Sequence, residues 1–195
     1  ASTLRERGGL GVWSLAWLKD GTLAVGMQSK VELWKDGGCI NTLEMTGTCF
    51  SLCVLPDGSF LSGAGGGEIK HWRDGKCVRE LKGHAEYVNS LIRLKNGNIA
   101  SGSYDKTIKI WDLEKGKCLH TLKGHTGVVW ALAELPDGRI ASASGDKTIK
   151  LWNTKDGACV RTFTHHTSAV RALAVLKDGT LLSGSHDGTV KALLR

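Results

Sequence analysis

Histidine, serine and aspartate, the residue types of a nucleophilic hydrolase, recur in the same order three times: His84, Ser101, Asp105; His125, Ser142, Asp146; and His166, Ser183, Asp187. A histidine can take the serine proton while a carboxylate orients the ring, so this chemistry is the first to weigh. Recurrence argues against it, because one active site needs one set. The run Gly63-Ala64-Gly65-Gly66-Gly67 resembles a phosphate loop but lacks the Gly-Lys-Ser/Thr ending. Six cysteines invite a zinc or disulfide reading. Four of them, Cys39, Cys77, Cys118 and Cys159, hold one repeat position. On separate sheets they would lie too far apart for ligand bonds of about 2.0–2.3 Å. Cys49 and Cys53 are close in sequence but sit mid-strand, so free, reduced thiols in a reducing compartment are expected. Asp20, Asp57, Asp137 and Asp178 each precede glycine and serve turns. No catalytic residue, metal site or cofactor motif emerges.

These residues are spaced by a repeat. Turn glycines Gly21, Gly58, Gly97, Gly138 and Gly179 are separated by 37, 39, 41 and 41 residues, and Trp34, Trp72, Trp111 and Trp152 follow the first four by 13 or 14. The fifth copy has Leu193 in that place. Self-similarity at this period marks a propeller array. In the unit from Tyr87 to Leu122, Val88, Leu91 and Leu94 precede the hairpin signal Asn96-Gly97. Small, apolar Ile99–Ser103 follows, then a turn at Tyr104-Asp105-Lys106. Thr107–Trp111 alternates at period two, Glu114-Lys115-Gly116 turns again, and Cys118–Leu122 makes a fourth strand. The expectation is an all-β fold of four-stranded antiparallel blades, strands a to d, in a single domain over 1–195. The repeats run 12–43, 49–81, 87–122, 128–163 and 169–195. The last lacks strand d, so segment 2–6 is expected to complete it and close a five-bladed ring without a free edge.

These residues closely resemble the WD40-repeat family across essentially the whole chain. The resemblance implies a hydrogen-bonded tetrad in each full repeat. Two are complete, His84, Ser101, Asp105, Trp111 and His125, Ser142, Asp146, Trp152, with Ser103 and Ser144 as alternative serines. A third keeps His166, Ser183 and Asp187 without the tryptophan; His166 of the adjacent pair His165-His166 is thereby structural, not a metal ligand. The tetrad ties the serine to an indole, which leaves no hydrolase nucleophile. The glycine run falls on a b–c hairpin. The first two repeats keep Trp34 and Trp72 but lack the Gly-His and the turn aspartate, so lower local stability is expected there.

The resemblance also implies that the rim carrying the d–a and b–c loops is the docking face. Its register positions read Trp13, Phe50, Asn89, Trp130 and Arg171 after strand-a residues, and Tyr104, Gly145 and His186 before the turn aspartates, with Tyr87 nearby. Aromatic residues and arginine dominate binding hot spots. The competing reading packs Trp13 and Trp130 between blades as core. A non-enzymatic scaffold for a peptide or protein, most simply a monomer, is the leading expectation.

Several stretches narrow this loosely. "LCVLPDGSFLSG", "WKDGGC" and "WRDGKC" resemble ubiquitin-binding propellers of segregase cofactors, and "LKGHTGVVWALAELPDG" resembles substrate-reading propellers of ubiquitin ligases. With 26 Lys and Arg against 19 Asp and Glu, the net charge of +7 allows RNA or DNA as an alternative partner, read by a basic aromatic rim. The lysines are scattered rather than clustered, which disfavours that. No apolar run approaches the roughly 18 residues of a membrane helix, and Ala1–Leu10 lacks the apolar core of a secretory signal. A cytoplasmic or nuclear location is expected. Because no Met opens the chain, a piece of a larger WD40 sensor or ubiquitin-ligase subunit remains an alternative.

Overall fold

The computed structural model describes residues 11–194. The first sheet is β1 (Ser14–Trp17), β2 (Leu23–Met27), β3 (Lys30–Lys35) and β4 (Gly38–Glu44); the second is β5 (Ser51–Val54), β6 (Phe60–Gly63), β7 (Ile69–Arg73) and β8 (Lys76–Leu81). The third is β9 (Val88–Arg93), β10 (Ile99–Ser103), β11 (Ile108–Asp112) and β12 (Lys117–Leu122). The fourth is β13 (Val129–Glu134), β14 (Ile140–Ser144), β15 (Ile149–Trp152) and β16 (Cys159–Phe163). The fifth has three described strands, β17 (Val170–Val175), β18 (Leu181–Ser185) and β19 (Val190–Leu194). All pair as antiparallel neighbours in chain order, the pattern that short hairpin turns produce. The expected closing segment 2–6 lies outside the described residues. Among those residues, no helix is long and apolar enough to cross a membrane.

Burial follows strand position. The second strands are covered on both faces: every residue of Ile99–Ser103 and Ile140–Ser144 is buried. Small side chains are required there, because the next sheet's first strand presses close. A Cβ on Gly102 would lie 2.6 Å from Val129 Cγ1, below any normal contact. The fourth strands are mostly exposed and bury chiefly their last apolar residue, such as Leu122 or Phe163.

The apolar core is therefore a series of layers between sheets. Leu61, Ile69 and Leu81 of the second sheet pack with Leu91, Ile99 and Trp111 of the third. Ala100, Ile108, Ile110 and Leu122 pack with Leu132, Ile140 and Trp152 of the fourth. Phe60 and Trp72 close the layer against the first sheet, while Leu173 and Leu193 close that between the fourth and fifth. At the two ends the equivalent positions are open: Leu15 is 62% and Val190 74% exposed, whereas Leu91 and Ile108 are buried.

Each layer is pinned by a polar chain. Trp111 Nε1 donates to Ser101 Oγ at 2.8 Å, Ser101 Oγ lies 2.7 Å from His84 Nε2, and His84 Nδ1 donates to Asp105 Oδ2 at 2.7 Å. Trp152, Ser142, His125 and Asp146 repeat the geometry. His166, Ser183 and Asp187 do so without an indole. Ser103 and Ser144 instead donate to the Glu86 and Gly127 carbonyls. Since a carboxylate only accepts, Nδ1 carries the proton of the contact with the aspartate. The serine is fully buried and holds an indole N–H, so no substrate carbonyl can reach it.

The early repeats use substitutes. In the second, Ser62 Oγ receives the Trp72 indole N–H but faces Met45 Sδ at 3.1 Å, where the others have histidine. In the first, Trp34 Nε1 donates to Glu32 Oε2. Thioether sulfur is a weak acceptor, so the Met45 chain is softer than a His–Asp pair.

Burial alone would raise the Asp105 and Asp146 carboxyls, yet hydrogen bonds from His84 and Thr107, and from His125, Thr148 and the Thr126 amide, hold both well below the usual carboxylate range. Such groups stabilise the fold fully above the unfolded-state value near ~4, and that contribution is lost as pH falls toward the folded value. In urea titrations at neutral pH, Asp146→Ala is expected to cost about 1–3 kcal/mol. Asp137→Ala, in an exposed turn with Arg139, is expected to cost within about 0.5 kcal/mol. Asp146→Asn should flatten the loss of stability below about pH 4. Equal midpoints for Asp146→Ala and Asp137→Ala would overturn this account.

Candidate functional site

The d–a and b–c loops gather at one end of the sheets, and irregularities in the first strands aim side chains there. In β9, Ser90 pairs with Gly102 and Val88 with Ser103, leaving Asn89 as an extra residue. Trp130 in β13 and Arg171 in β17 are extra residues of the same kind. A bulge of this type releases one residue from the ladder and re-aims its side chain. Trp13 and Phe50 stand just before β1 and β5, where their amides donate to the Gly26 and Gly63 carbonyls. On the b–c side, the Tyr104 amide donates to the Tyr87 carbonyl, and the His186 amide to that of Ala169.

The rings form one unbroken file across the sheets. Trp13 meets Phe50 edge-on at 5.3 Å, and Phe50 stacks on Tyr87 at 5.4 Å. Tyr87 meets Tyr104 at 5.3 Å, and Tyr104 meets Trp130 at 5.2 Å, both edge-on. The Arg171 guanidinium caps the file, 3.5 Å from the Trp130 ring centroid. These spacings are those at which aromatic pairs attract beyond simple burial, and the cap is a close cation–π contact. Gly145 makes room for it: a Cβ there would sit 3.3 Å from Trp130 Nε1.

The file is only partly covered. Trp13 is 57% exposed, Tyr87, Tyr104 and Arg171 are exposed, and Phe50 and Trp130 are half-buried. Trp13 and Trp130 are thus absent from the inter-sheet layers, which are filled by other tryptophans. Asn89 is half-buried and its amide donates to the Val129 carbonyl of the next sheet at 3.5 Å. His186 is exposed and makes no ring contact with the file. The planar face of Arg171 is occupied by Trp130. Its register position after a strand-a residue gave the sequence signal for the rim, and the stacking partner could not be read there.

No group of His, Cys, Asp or Glu among the described residues is arranged to hold a metal ion. All six cysteines are free; Cys49 is buried, which pushes its thiol up to about 11, and the four at the repeat position are exposed.

The family profile described as "WD domain, G-beta repeat" matches residues 37–73, 75–112, 116–153 and 157–192. Each match joins the fourth strand of one sheet to the first three of the next. The crystal structure of the WD40 beta propeller domain of Doa1 is similar at a TM-score of 0.82 and 26% identity, covering 93% of this chain and 62% of that one. Over 63 residues the chain is 46% identical to the ubiquitin homeostasis protein lub1 of Schizosaccharomyces pombe, covering 31% of this chain and 9% of that protein. It is 32% identical over 88 residues to Autophagy-related protein 16 of Arabidopsis thaliana, covering 42% of this chain and 17% of that protein. The chain thus spans less than a fifth of these two relatives.

If the file is an energetic unit, neighbouring rings must be coupled. A double-mutant cycle in urea on Tyr104→Ala and Trp130→Ala should return about 0.5–1.5 kcal/mol of coupling. The same cycle on Trp13 and Trp130, which do not touch, should return none within about 0.3–0.5 kcal/mol. Zero coupling for the touching pair would show that the rings are merely adjacent.

Proposed function

The chain belongs to the WD40 family, and from that premise we propose that it holds a peptide or protein partner on the rim carrying the d–a and b–c loops. WD40 propellers are protein-interaction scaffolds and typically not catalysts. The continuity of the file from Trp13 to Arg171 carries the proposal. A rimmed, partly exposed apolar patch in a folded chain marks an interaction surface. Rings already packed on one another lose little freedom on binding, so burying them favours association. The partner crosses the file, with Trp130 as anchor and Arg171 presenting its remaining N–H groups to an acceptor.

The likeness to lub1, a ubiquitin homeostasis protein, supports ubiquitin biology as the setting. Exposed free thiols favour a reducing compartment. The nucleic-acid reading would need several cations beside the rings, and Arg171 is the one cation stacked in the file.

Capture of the partner by Trp130→Ala and by Arg171→Glu should be lost while the melting temperature stays within a few degrees of wild type. If both variants fold and still bind, the partner uses another surface. If Trp130→Ala chiefly unfolds the chain, that residue serves the core.

The proposal extends to a five-bladed ring in which segment 2–6 completes the fifth sheet, whose described strands end at β19. Closure would also have to cover Leu15, Trp17 and Val190, all exposed among the described residues. Removing residues 1–7 should then lower stability markedly and promote aggregation. A truncated chain as stable as the full one would rule out this closure, and light scattering at twice the monomer mass would assign the open faces to paired chains.

A further inference from the structure

At the opposite ends of the strands, among the a–b and c–d turns, a cleft of about 690 Å³ lies between the second and third sheets. Three features set it apart from the equivalent junctions. First, β7 carries His71 where the register has Leu33, Ile110, Leu151 and Ala192 in the other sheets. The ring is buried at 7% exposure and lines the cleft; Nε2 meets Ser59 Oγ at 2.8 Å, and Nδ1 has no hydrogen-bond partner among the described residues. An imidazole in place of an aliphatic residue costs core burial, and the fold at this position does not require it.

Second, Arg79 of β8 and Arg93 of β9 reach the same cleft from facing sheets. The Arg79 guanidinium lies against Gly116, in the space a Cβ there would fill. Neither arginine is in an ion pair among the described residues. Arg93 takes a position held by Trp17, Val54, Glu134 and Val175 elsewhere.

Third, the carboxylates nearby are mostly committed. Asp57 is paired with Arg73 and, through the Ser59 hydroxyl first, held down to about 2; Asp112 is paired with Lys115. Glu114, exposed at the mouth, is the remaining acid of the cleft wall. Burial first, then the charge of Arg73, lowers the His71 pKa; Arg79 adds to the fall and Asp57 opposes it. The cleft wall sets Arg73, Arg79 and Arg93 against Asp57, Asp112 and Glu114, so its charges balance, but Arg79 and Arg93 stand outside any ion pair among the described residues and one imidazole nitrogen is open. Guanidinium groups bind oxyanions through paired N–H donors, and phosphoryl oxygens suit them especially.

We propose that this cleft binds a phosphoryl group, clamped by Arg79 and Arg93 beside His71, whose Nε2–H is given to Ser59 and whose Nδ1 can donate only once the ring gains a proton. The recess is larger than one phosphate, which fits a phosphorylated side chain entering with its backbone across the turns. This site is independent of the aromatic file, so its failure leaves the proposed docking face untouched.

The test is calorimetry with inorganic phosphate and with a short phosphoserine peptide, alongside NMR of the His71 ring. Saturable binding that raises the His71 pKa is expected, and Arg79→Ala and Arg93→Ala should each weaken it about tenfold or more. Both arginines are at least partly exposed, so the variants should keep the wild-type melting temperature. His71→Leu, the residue type found at this register in other sheets, should keep the fold and weaken binding by calorimetry. Tighter binding of the peptide than of inorganic phosphate assigns the site to a phosphorylated partner, and equal affinity assigns it to the free anion. No saturable binding, a response reproduced by chloride at matched ionic strength, or affinity unchanged in both arginine variants would overturn the proposal.

Discussion

A four-stranded sheet of this size has two apolar faces and no means of covering either, and that constraint governs everything else in the chain. Burial is obtained between sheets rather than within them, so each layer draws residues from two successive repeats. Trp111 belongs by sequence to the third repeat but packs on Leu61, Ile69 and Leu81 of the second. The tryptophan is large enough to bridge the layer, and its N–H must then be satisfied in a buried place. Ser101 supplies that acceptor, His84 orders the serine, and Asp105 orders the histidine. The polar chain follows from choosing an indole as the wedge. This explains why three residue types associated with hydrolysis recur as partners of a buried indole.

The same constraint accounts for the differences among repeats. The third and fourth sheets are covered on both sides by neighbours and carry complete polar chains. In the first sheet, the Trp34 indole donates to Glu32 of its own strand, and Leu15 and Trp17 are exposed on β1. The second sheet keeps its serine and tryptophan but places Met45 on the serine. A nearest-neighbour array tolerates such gradation, because each junction contributes separately to stability.

The two proposed binding surfaces lie where this architecture frees a residue from pairing or separates neighbouring turns. The bulges in β9, β13 and β17 release Asn89, Trp130 and Arg171 at one end, and two of these three join the aromatic file. At the other end, the turns of adjacent sheets diverge enough to leave a recess lined by both Arg79 and Arg93. Both surfaces are built on strand ends held by rigid layers, which fixes side-chain positions better than long loops would. They also share a logic: a repeat position that is bland in most copies becomes distinctive in one.

Much of this was legible from residues alone. Periodic glycines and tryptophans carry the strand order, because turn conformation and period-two burial are local properties of a few residues. The composition of the aromatic rim was also readable, since register assigns Trp13, Phe50, Tyr104, Trp130 and Arg171 to one end of the sheets. What the local pattern does not contain is the relation between sheets. That Arg171 stacks on Trp130, that Asn89 turns to the Val129 carbonyl, and that His186 stands apart depend on the angle and spacing at which separate sheets pack. The cleft of His71, Arg79 and Arg93 was missed for the same reason: its members lie on three strands of two sheets, and each alone looks like an ordinary surface or core residue. Sequence by itself determined the unit and its repetition, because hydrogen-bonded turns and alternating burial act over a few residues. Tertiary structure alone decided which side chains meet, because inter-sheet contacts join residues about one repeat apart through packing that no short stretch encodes.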